Sequence, residues 1–409
     1  MTGRRVFYVA PDPVGALGSR LPVLAASDDG LEADPERLTV VGEGGRSGRS
    51  LLELPEVGRK LQEEAAAVVL WTGSAAARRR LAELGVPAAN SDPWVARRLE
   101  NKAHFQDAAR ARGIPVPKSV SGVAGPELAA TAAPLGRGVF QLARGFSGAA
   151  TYPIGGREEL NEVCARFRGH PCRVAEWVEG TPVTVTGVAL NGRVALGPAC
   201  LQLTGLPELT PHPLGSCGND FSSPVPSPEA VRRVAQQTGE WLRELGHRGI
   251  FGVDLVVDRA GRAWCIEVNP RLVASVPLWS LSAAPGSSLL DLHLAAFGLA
   301  ADPGAPLSCH WSQLILYQMG RSATREPIES HEGDWDPEGN FTPRRRLTLD
   351  GPAPGRVGLL RRRPAGPGKE LCRLILEGPL TSSRGALLPH LERAVRALRR
   401  ELEPGPVRP

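Results

Sequence analysis

The stretch Gly249-Ile250-Phe251-Gly252-Val253-Asp254-Leu255-Val256-Val257-Asp258-Arg259-Ala260-Gly261-Arg262-Ala263-Trp264-Cys265-Ile266-Glu267-Val268-Asn269-Pro270-Arg271 decides how this chain is read. Two apolar runs flank an Asp-Arg-Ala-Gly turn, the pattern of a β-hairpin. A turn centred between Ala260 and Gly261 sets Asp254 opposite Glu267. Asn269, two residues beyond Glu267, then projects from the same face. Two carboxylates held that close repel unless one is protonated or a cation sits between them. Three oxygen-bearing side chains on one face suit a hard divalent ion such as Mg²⁺, with phosphate oxygens completing its shell. Arg271 follows directly and suits phosphate or carboxylate charge. The plain alternative is an exposed hairpin with solvated acids, but the flanks here are too apolar for a solvated face.

The chain of 409 residues has room for two or three domains and a sizeable core. An apolar content of 42% places it among globular proteins rather than disordered ones. No apolar run is long enough to span a bilayer, and the N-terminus runs straight into a strand with no secretory apolar segment. A cytoplasmic protein without membrane association is therefore expected. The net charge of +5 comes from scattered basic residues with short clusters at Arg344–Arg346 and Arg361–Arg363. These do not interleave with aromatics, so no nucleic-acid partner is expected. Seven cysteines, an odd number without a CxxC pair, argue against a zinc cluster or a disulfide framework. Lysine occurs only at positions 60, 102, 118 and 369 while arginine is abundant, which marks those lysines as candidates for sites needing a compact charge.

Along the chain, residues 4–10 and 68–71 read as strands. An Ala/Arg-rich helix runs through Leu84, and together these suggest a small N-terminal α/β layer over residues 1–95. Residues 42–48 read as a Gly-rich linker or lid. One helix is expected from about Pro93 to Arg112. A strand at 138–143, a Gly loop and a returning strand at 149–154 follow, then a helix at 158–168 and strands at 172–178, 183–190 and 193–203. Residues 206–228 read as loop-rich, and 229–245 as an amphipathic helix leading into the hairpin. The tail from 302 reads as a separate segment with one strand at 313–317, a disordered-looking Pro/Gly/Arg stretch and a last helix at 387–402.

The order of a lysine-bearing helix, a strand–Gly loop–strand, a Glu-bearing strand and the acidic hairpin resembles the ATP-grasp superfamily, over roughly residues 90–300. The resemblance implies an α/β (α+β) fold with four parts: the N-terminal layer 1–95, a nucleotide-binding lobe 96–182, a second lobe with the metal site at 183–301, and an α+β extension 302–409. Asn101-Lys102 resembles the opening of the nucleotide lobe, so Lys102 is expected on ATP phosphate. Val139-Phe140-Gln141 resembles the strand that usually carries a second phosphate lysine. Here the slot holds Gln141, and Arg144 stands three residues on as a compensating charge. Arg144-Gly145-Phe146-Ser147-Gly148 resembles the glycine-rich phosphate flap, with Gly145, Ser147 and Gly148 as expected contacts. Ala175-Glu176-Trp177-Val178-Glu179 resembles the hinge strand that reads adenine. Glu176 and the Val178 backbone are the expected base contacts, and Glu179 stands in for a ribose acid whose place Pro182 takes. Asp254, Glu267 and Asn269 match the Mg²⁺ ligands, and Arg271 matches an arginine near the transferred phosphate, the expected catalytic residue.

The resemblance implies ATP and Mg²⁺, or Mn²⁺ in its place, as cofactors. It further implies a ligase in which a small-molecule carboxylate attacks the γ-phosphate of ATP and an amine displaces phosphate from the acylphosphate. Amino acids or small peptides are the default substrates. Two alternatives stand beside it: another phosphotransferase or carboxylating enzyme on this fold, and a non-catalytic ATP-binding module. The loop from Gln202 to Asp220 reads equally as an acceptor-site wall or as plain surface. The tail after 302 is expected to cover the active site or to mediate dimerisation, with a homodimer left open.

Overall fold

Four short apolar runs build the first layer: β1 (Arg5–Ala10), β2 (Val23–Ala25), β3 (Leu38–Val40) and β4 (Ala65–Leu70), all parallel in the order β3-β2-β1-β4. Phe7 and Val9 point to one face, under the helices Pro55–Glu64 and Ala75–Glu83. Tyr8 and Ala10 point to the other, against the helices Val276–Ser282 and Leu289–Ala296. A parallel sheet covered on both sides needs apolar residues at every position, which is why these strands read as runs rather than alternations. The computed structural model describes residues 4–403 apart from 33, 42–46, 146–147, 149, 285, 305–306, 321–328, 337 and 383–384. Most of the Gly42–Gly48 loop, Ser147 of the flap and part of the tail therefore lie outside the described residues.

The second sheet is antiparallel: β5 (Ser119–Val123), β6 (Gly138–Leu142), β7 (Thr151–Ile154) and β8 (Pro171–Glu176), in the order β5-β8-β6-β7. Its strands alternate. Phe140, Cys172 and Val174 pack under the helices Pro126–Ala132 and Arg157–Arg166. Val139, Gln141, Arg173 and Ala175 fall on the opposite face, which turns toward a cavity.

The third sheet has ten strands: β9 (Gly180–Ala189), β10 (Val194–Thr204), β11 (Ser216–Asp220), β12 (Gly249–Asp258), β13 (Ala263–Asn269), β14 (Trp311–Tyr317), β15 (His331–Trp335), β16 (Phe341–Arg346), β17 (Val357–Arg361) and β18 (Glu370–Glu377). Their order is β13-β12-β9-β10-β11-β14-β18-β17-β15-β16. The helix Pro228–Glu244 packs Val231, Val234, Ala235 and Leu242 into the core beneath β9, β12 and β13.

Two expectations are corrected. The helix expected over 93–112 is two helices, Pro93–Leu99 and Lys102–Ala111, because the Asn101 side chain accepts the Ala103 N–H and caps a new start. The loop-rich residues 206–228 include Ser216–Asp220, a strand bridging β10 and β14. Among the described residues the tail holds five strands rather than one, and β14 joins them to the main sheet. The outer strands β15 and β16 are polar, with Arg345 on Glu332 and Arg344 on Asp334, a composition that suits a sheet edge and masks its strand character. No helix among the described residues is long and apolar enough to cross a membrane.

Candidate functional site

The acidic hairpin owes its shape to two local devices. Asp258 accepts the backbone N–H groups of Ala260 and Arg262 and the indole of Trp264, and Gly261 takes the left-handed conformation that closes the turn. The indole bond first and the Arg262 N–H second hold the Asp258 carboxyl down to about 2. Near the turn, Val256 pairs with Trp264, one residue out of the register expected from the sequence. A bulge at Ile266 then adds a residue to β13, so Asp254 lies directly opposite Glu267 and Gly252 opposite Asn269.

Asn269 Nδ2 lies 3.2 Å from Asp254 Oδ2 and 3.4 Å from Glu267 Oε1, so the three side chains converge. Lys102 Nζ lies 2.9 Å from Glu267 Oε2, and Gln202 Nε2 lies 3.3 Å from Asp254 Oδ1. Burial first, and the Glu267 charge second, push the Asp254 carboxyl up to about 7. Burial acts the same way on Glu267, but the Lys102 ammonium outweighs it and holds that carboxyl below its usual range. One acid is thus short of positive charge while the other has it. This donor set fits a hard divalent cation: two facing carboxylates, one poised to release its proton, with an amide beside them. Ligation by Asn269 Oδ1 requires the amide to turn over, since that oxygen now accepts from Arg271 Nη2 at 3.1 Å.

Two cavities meet at the hairpin. The first, of about 270 Å³, is bounded by Pro117, Val139, Ala175, Trp177, Val178 and Ile266, with Gln141, Arg173 and Glu176 on its walls. The second, of about 440 Å³, is bounded by Trp71, Arg144, Asn219, Arg271, Ile315 and Tyr317. Lys102, Gly145, Gln202, Ser216, Asp254 and Glu267 line both and mark the junction.

The expected residues fall as follows. Lys102 stands at the junction, bonded to Glu267 and, at 3.4 Å, to the Gly145 carbonyl. Gln141 is buried in the first cavity, while Arg144 is exposed on the second and donates to the Arg97 carbonyl. Gly148 needs to be glycine: its φ is +76°, and a Cβ there would lie 2.5 Å from Gly215 Cα. Glu176 Oε1 accepts the Lys118 N–H at 2.9 Å. Val178 lines the first cavity and makes no hydrogen bond among the described residues. Glu179 is exposed at the rim, where the Trp177 indole first and Arg137 second hold its carboxyl below the usual range. Arg271 donates to Glu100 at 2.6 Å and lines the second cavity.

Several wall residues went unread in the sequence. Arg173 looked like an ordinary strand position, although a charged residue between apolar neighbours in Cys172-Arg173-Val174-Ala175 was a signal. Gln106 is fully buried on the first cavity, four residues after Lys102, and neither end of its amide has a partner among the described residues. Ile315 and Tyr317 bring the C-terminal extension into the second cavity, and Gln202, Ser216 and Asn219 bring in the Gln202–Asp220 loop and its strands. Cys217 is fully buried, and burial pushes its thiol up to about 11, so it is not a nucleophile.

The sequence matches the family model of the ATP-grasp domain over residues 99–275. No curated protein matches it. Among solved structures, N5-carboxyaminoimidazole synthase from Aspergillus clavatus, in complex with ADP and 5-aminoimidazole ribonucleotide, superposes with a TM-score of 0.64 at 15% identity, covering 97% of this chain and 99% of that one. Biotin carboxylase from Campylobacter jejuni, in a complex with a β,γ-ATP compound, gives 0.65 at 13%, covering 91% and 87%. The biotin carboxylase domain of 2-oxoglutarate carboxylase from Hydrogenobacter thermophilus, a dimer with MgADP, ADP and bicarbonate, gives 0.62 at 13%, covering 92% and 86%. At such identities the likeness is one of fold. Residues 99–275 thus carry an ATP-grasp domain, on a chain with the fold of these ATP-grasp enzymes.

Proposed function

We propose that the protein is a Mg²⁺- and ATP-dependent ligase that activates a carboxylate as its acylphosphate and passes the acyl group to an amine. The observation that carries this reading is the position of Asp254 and Glu267 at the junction of two cavities. One cavity has apolar walls and a free backbone segment at Val178, which suits a purine; the other is the larger and more polar. Chemistry between a nucleotide in one and an acceptor in the other passes through the junction. Bound Mg²⁺ on Asp254, Glu267 and Asn269 supplies charge neutralisation for the phosphates.

The residues of the chain have positioning and electrostatic roles. The acceptor carboxylate oxygen is already a nucleophile, so no general base is required for its attack on the γ-phosphorus. That attack forms the acyl O–P bond and breaks the bond to ADP. The amine nitrogen then attacks the acyl carbon, the C–O bond breaks, and phosphate leaves with the amine losing a proton. Arg271 and Lys102 stand at the second cavity and the junction to offset charge at the transferred group. Gly145 and Gly148 of the flap close the junction against water. The working units follow the divisions 1–95, 96–182, 183–301 and 302–409, the last two sharing a sheet. Seven free thiols suit the reducing cytoplasm.

A second reading is that bicarbonate is the acid, giving a carboxylating enzyme. The similar structures, one a complex with 5-aminoimidazole ribonucleotide and another a complex with bicarbonate, support it. Amino acids and small peptides are proposed only as the first acids and amines to try. A panel of carboxylic acids with bicarbonate, each with and without amines and scored for ADP release from MgATP, separates the readings. ADP release with an organic acid and an amine supports the ligase. Release with bicarbonate alone supports the carboxylating enzyme. Nucleotide binding without turnover on any acid points to a binding module.

A further inference from the structure

The strand that usually carries a phosphate lysine carries Gln141 here, and the structure assigns the missing charge to a neighbouring strand. We infer that Arg173 is the cation of this lobe that meets nucleotide phosphate, and that Gln141 is its positioning residue. The inference rests on the reading of the first cavity as a nucleotide site.

The register of β6 and β8 sets Gln141 directly opposite Arg173, both on the cavity face. The Gln141 amide oxygen accepts from Arg173 Nε at 2.8 Å and from Nη2 at 2.5 Å, while its nitrogen donates to Thr151 Oγ1 at 3.3 Å. The amide is therefore occupied in holding the guanidinium. Arg173 Nη2 also donates to the Ile266 carbonyl at 3.0 Å and Nη1 to the Lys102 carbonyl at 3.4 Å. The bulged residue of the acidic hairpin thus anchors the same guanidinium.

Every one of these partners is neutral. Arg173 is 1% exposed and forms no ion pair with a carboxylate among the described residues. A buried cation with only neutral acceptors is costly unless an anion completes it. Burial lowers its pKa to about 10, with Glu267 opposing from a distance, so the group stays charged at neutral pH. A planar guanidinium fixed on one edge and lining the cavity is suited to phosphate oxygens. The pair moves a positive charge from one strand to the next while keeping its place on the cavity wall.

Titration calorimetry with ADP and with adenosine tests this on the full chain, for the wild type, Arg173→Met, Gln141→Met and the exchange Gln141→Lys with Arg173→Gln. ADP affinity is expected to fall about ten- to a hundredfold in Arg173→Met with adenosine affinity unchanged, and the exchange is expected to restore most of the loss. Gln141→Met leaves the guanidinium in place without its holder and is expected to weaken ADP by a smaller factor, so the inference stays testable if Arg173→Met does not fold. Unchanged ADP affinity in Arg173→Met, or in Gln141→Met where Arg173→Met does not fold, overturns the inference. So does an equal loss for ADP and adenosine, which would mark Arg173 as a structural strut. A wild type that binds neither ligand overturns the nucleotide reading itself, a result distinct from the others.

Discussion

Lys102 donates to Glu267 across 2.9 Å, so the first residue of one helix is pinned to the acidic hairpin more than 160 residues away in sequence. The ammonium holds one oxygen of Glu267, a carboxylate a divalent cation would share, and it also faces the flap at Gly145. It is the resident counter-ion of the acid, and the proposed function makes it a donor for phosphate as well. These two roles predict opposite effects of one substitution. Lys102→Met is expected to tighten binding of Mg²⁺ alone, because its competitor is gone, and to weaken ADP about tenfold or more. Calorimetric titration with each ligand checks the pair of signs, and a fall in both affinities contradicts the competition.

Asp254 and Glu267 repel each other in the metal-free protein, and burial adds to the strain. Asp254→Asn relieves it and is expected to leave the melting temperature unchanged or raised. The same change removes one of the proposed anionic metal ligands, so Mg²⁺-dependent ADP formation is expected to fall by about 10² or more. Thermal melts and the ADP assay check both; a large drop in stability without loss of turnover contradicts the assignment.

His293 joins the N-terminal layer to the main sheet, with Nε2–H donating to the Ala89 carbonyl at 2.8 Å and Nδ1 accepting the Ile250 N–H at 3.1 Å. Protonation at Nδ1 would set two N–H groups against each other. Burial lowers both His293 and its neighbour His247 to about 4 from an ordinary 6.5. The unfolded chain therefore binds protons that the folded chain refuses. Their stabilisation is complete above an ordinary histidine pKa and is lost as pH falls from there toward about 4. Urea midpoints measured from about pH 7.5 down to about pH 5 are expected to fall, and less steeply in His293→Gln. A flat profile in the wild type contradicts this.

Gln106 buries an amide with no partner at either end among the described residues, a costly arrangement in a cavity wall unless a ligand or water completes it. Gln106→Met keeps the volume and removes the polar group. It is expected to stabilise the free protein by about 1 kcal/mol and to weaken the nucleotide several-fold. Melting with and without ADP measures both; an unchanged ADP-induced shift contradicts a ligand contact.

The acidic pair was legible in the sequence because hairpin strands alternate and a short turn restricts the register. The Asp254–Glu267 pairing was read correctly even though the turn lies one residue from the expected place, because the Ile266 bulge restores the register. Bulges leave little trace in a single sequence. The break at Asn101 was missed because its apolar period continues through the cap. The strands of the tail were missed because the edge strand β16 and its neighbour β15 are rich in charge and β18 interrupts its apolar run with Arg373, which reaches back to Gln313. For Arg173 the sequence offers only a charge among apolar neighbours, because its meaning depends on which strand lies beside it, and β6 and β8 are separated by a hairpin and a helix.

The most direct measurement is the affinity of a non-hydrolysable ATP analogue with and without Mg²⁺, for the wild type and for Glu267→Gln. Mg²⁺ is expected to tighten binding to the wild type by about tenfold or more and to have little effect on the variant. Equal affinity of the wild type with and without the ion would contradict a metal site on this hairpin.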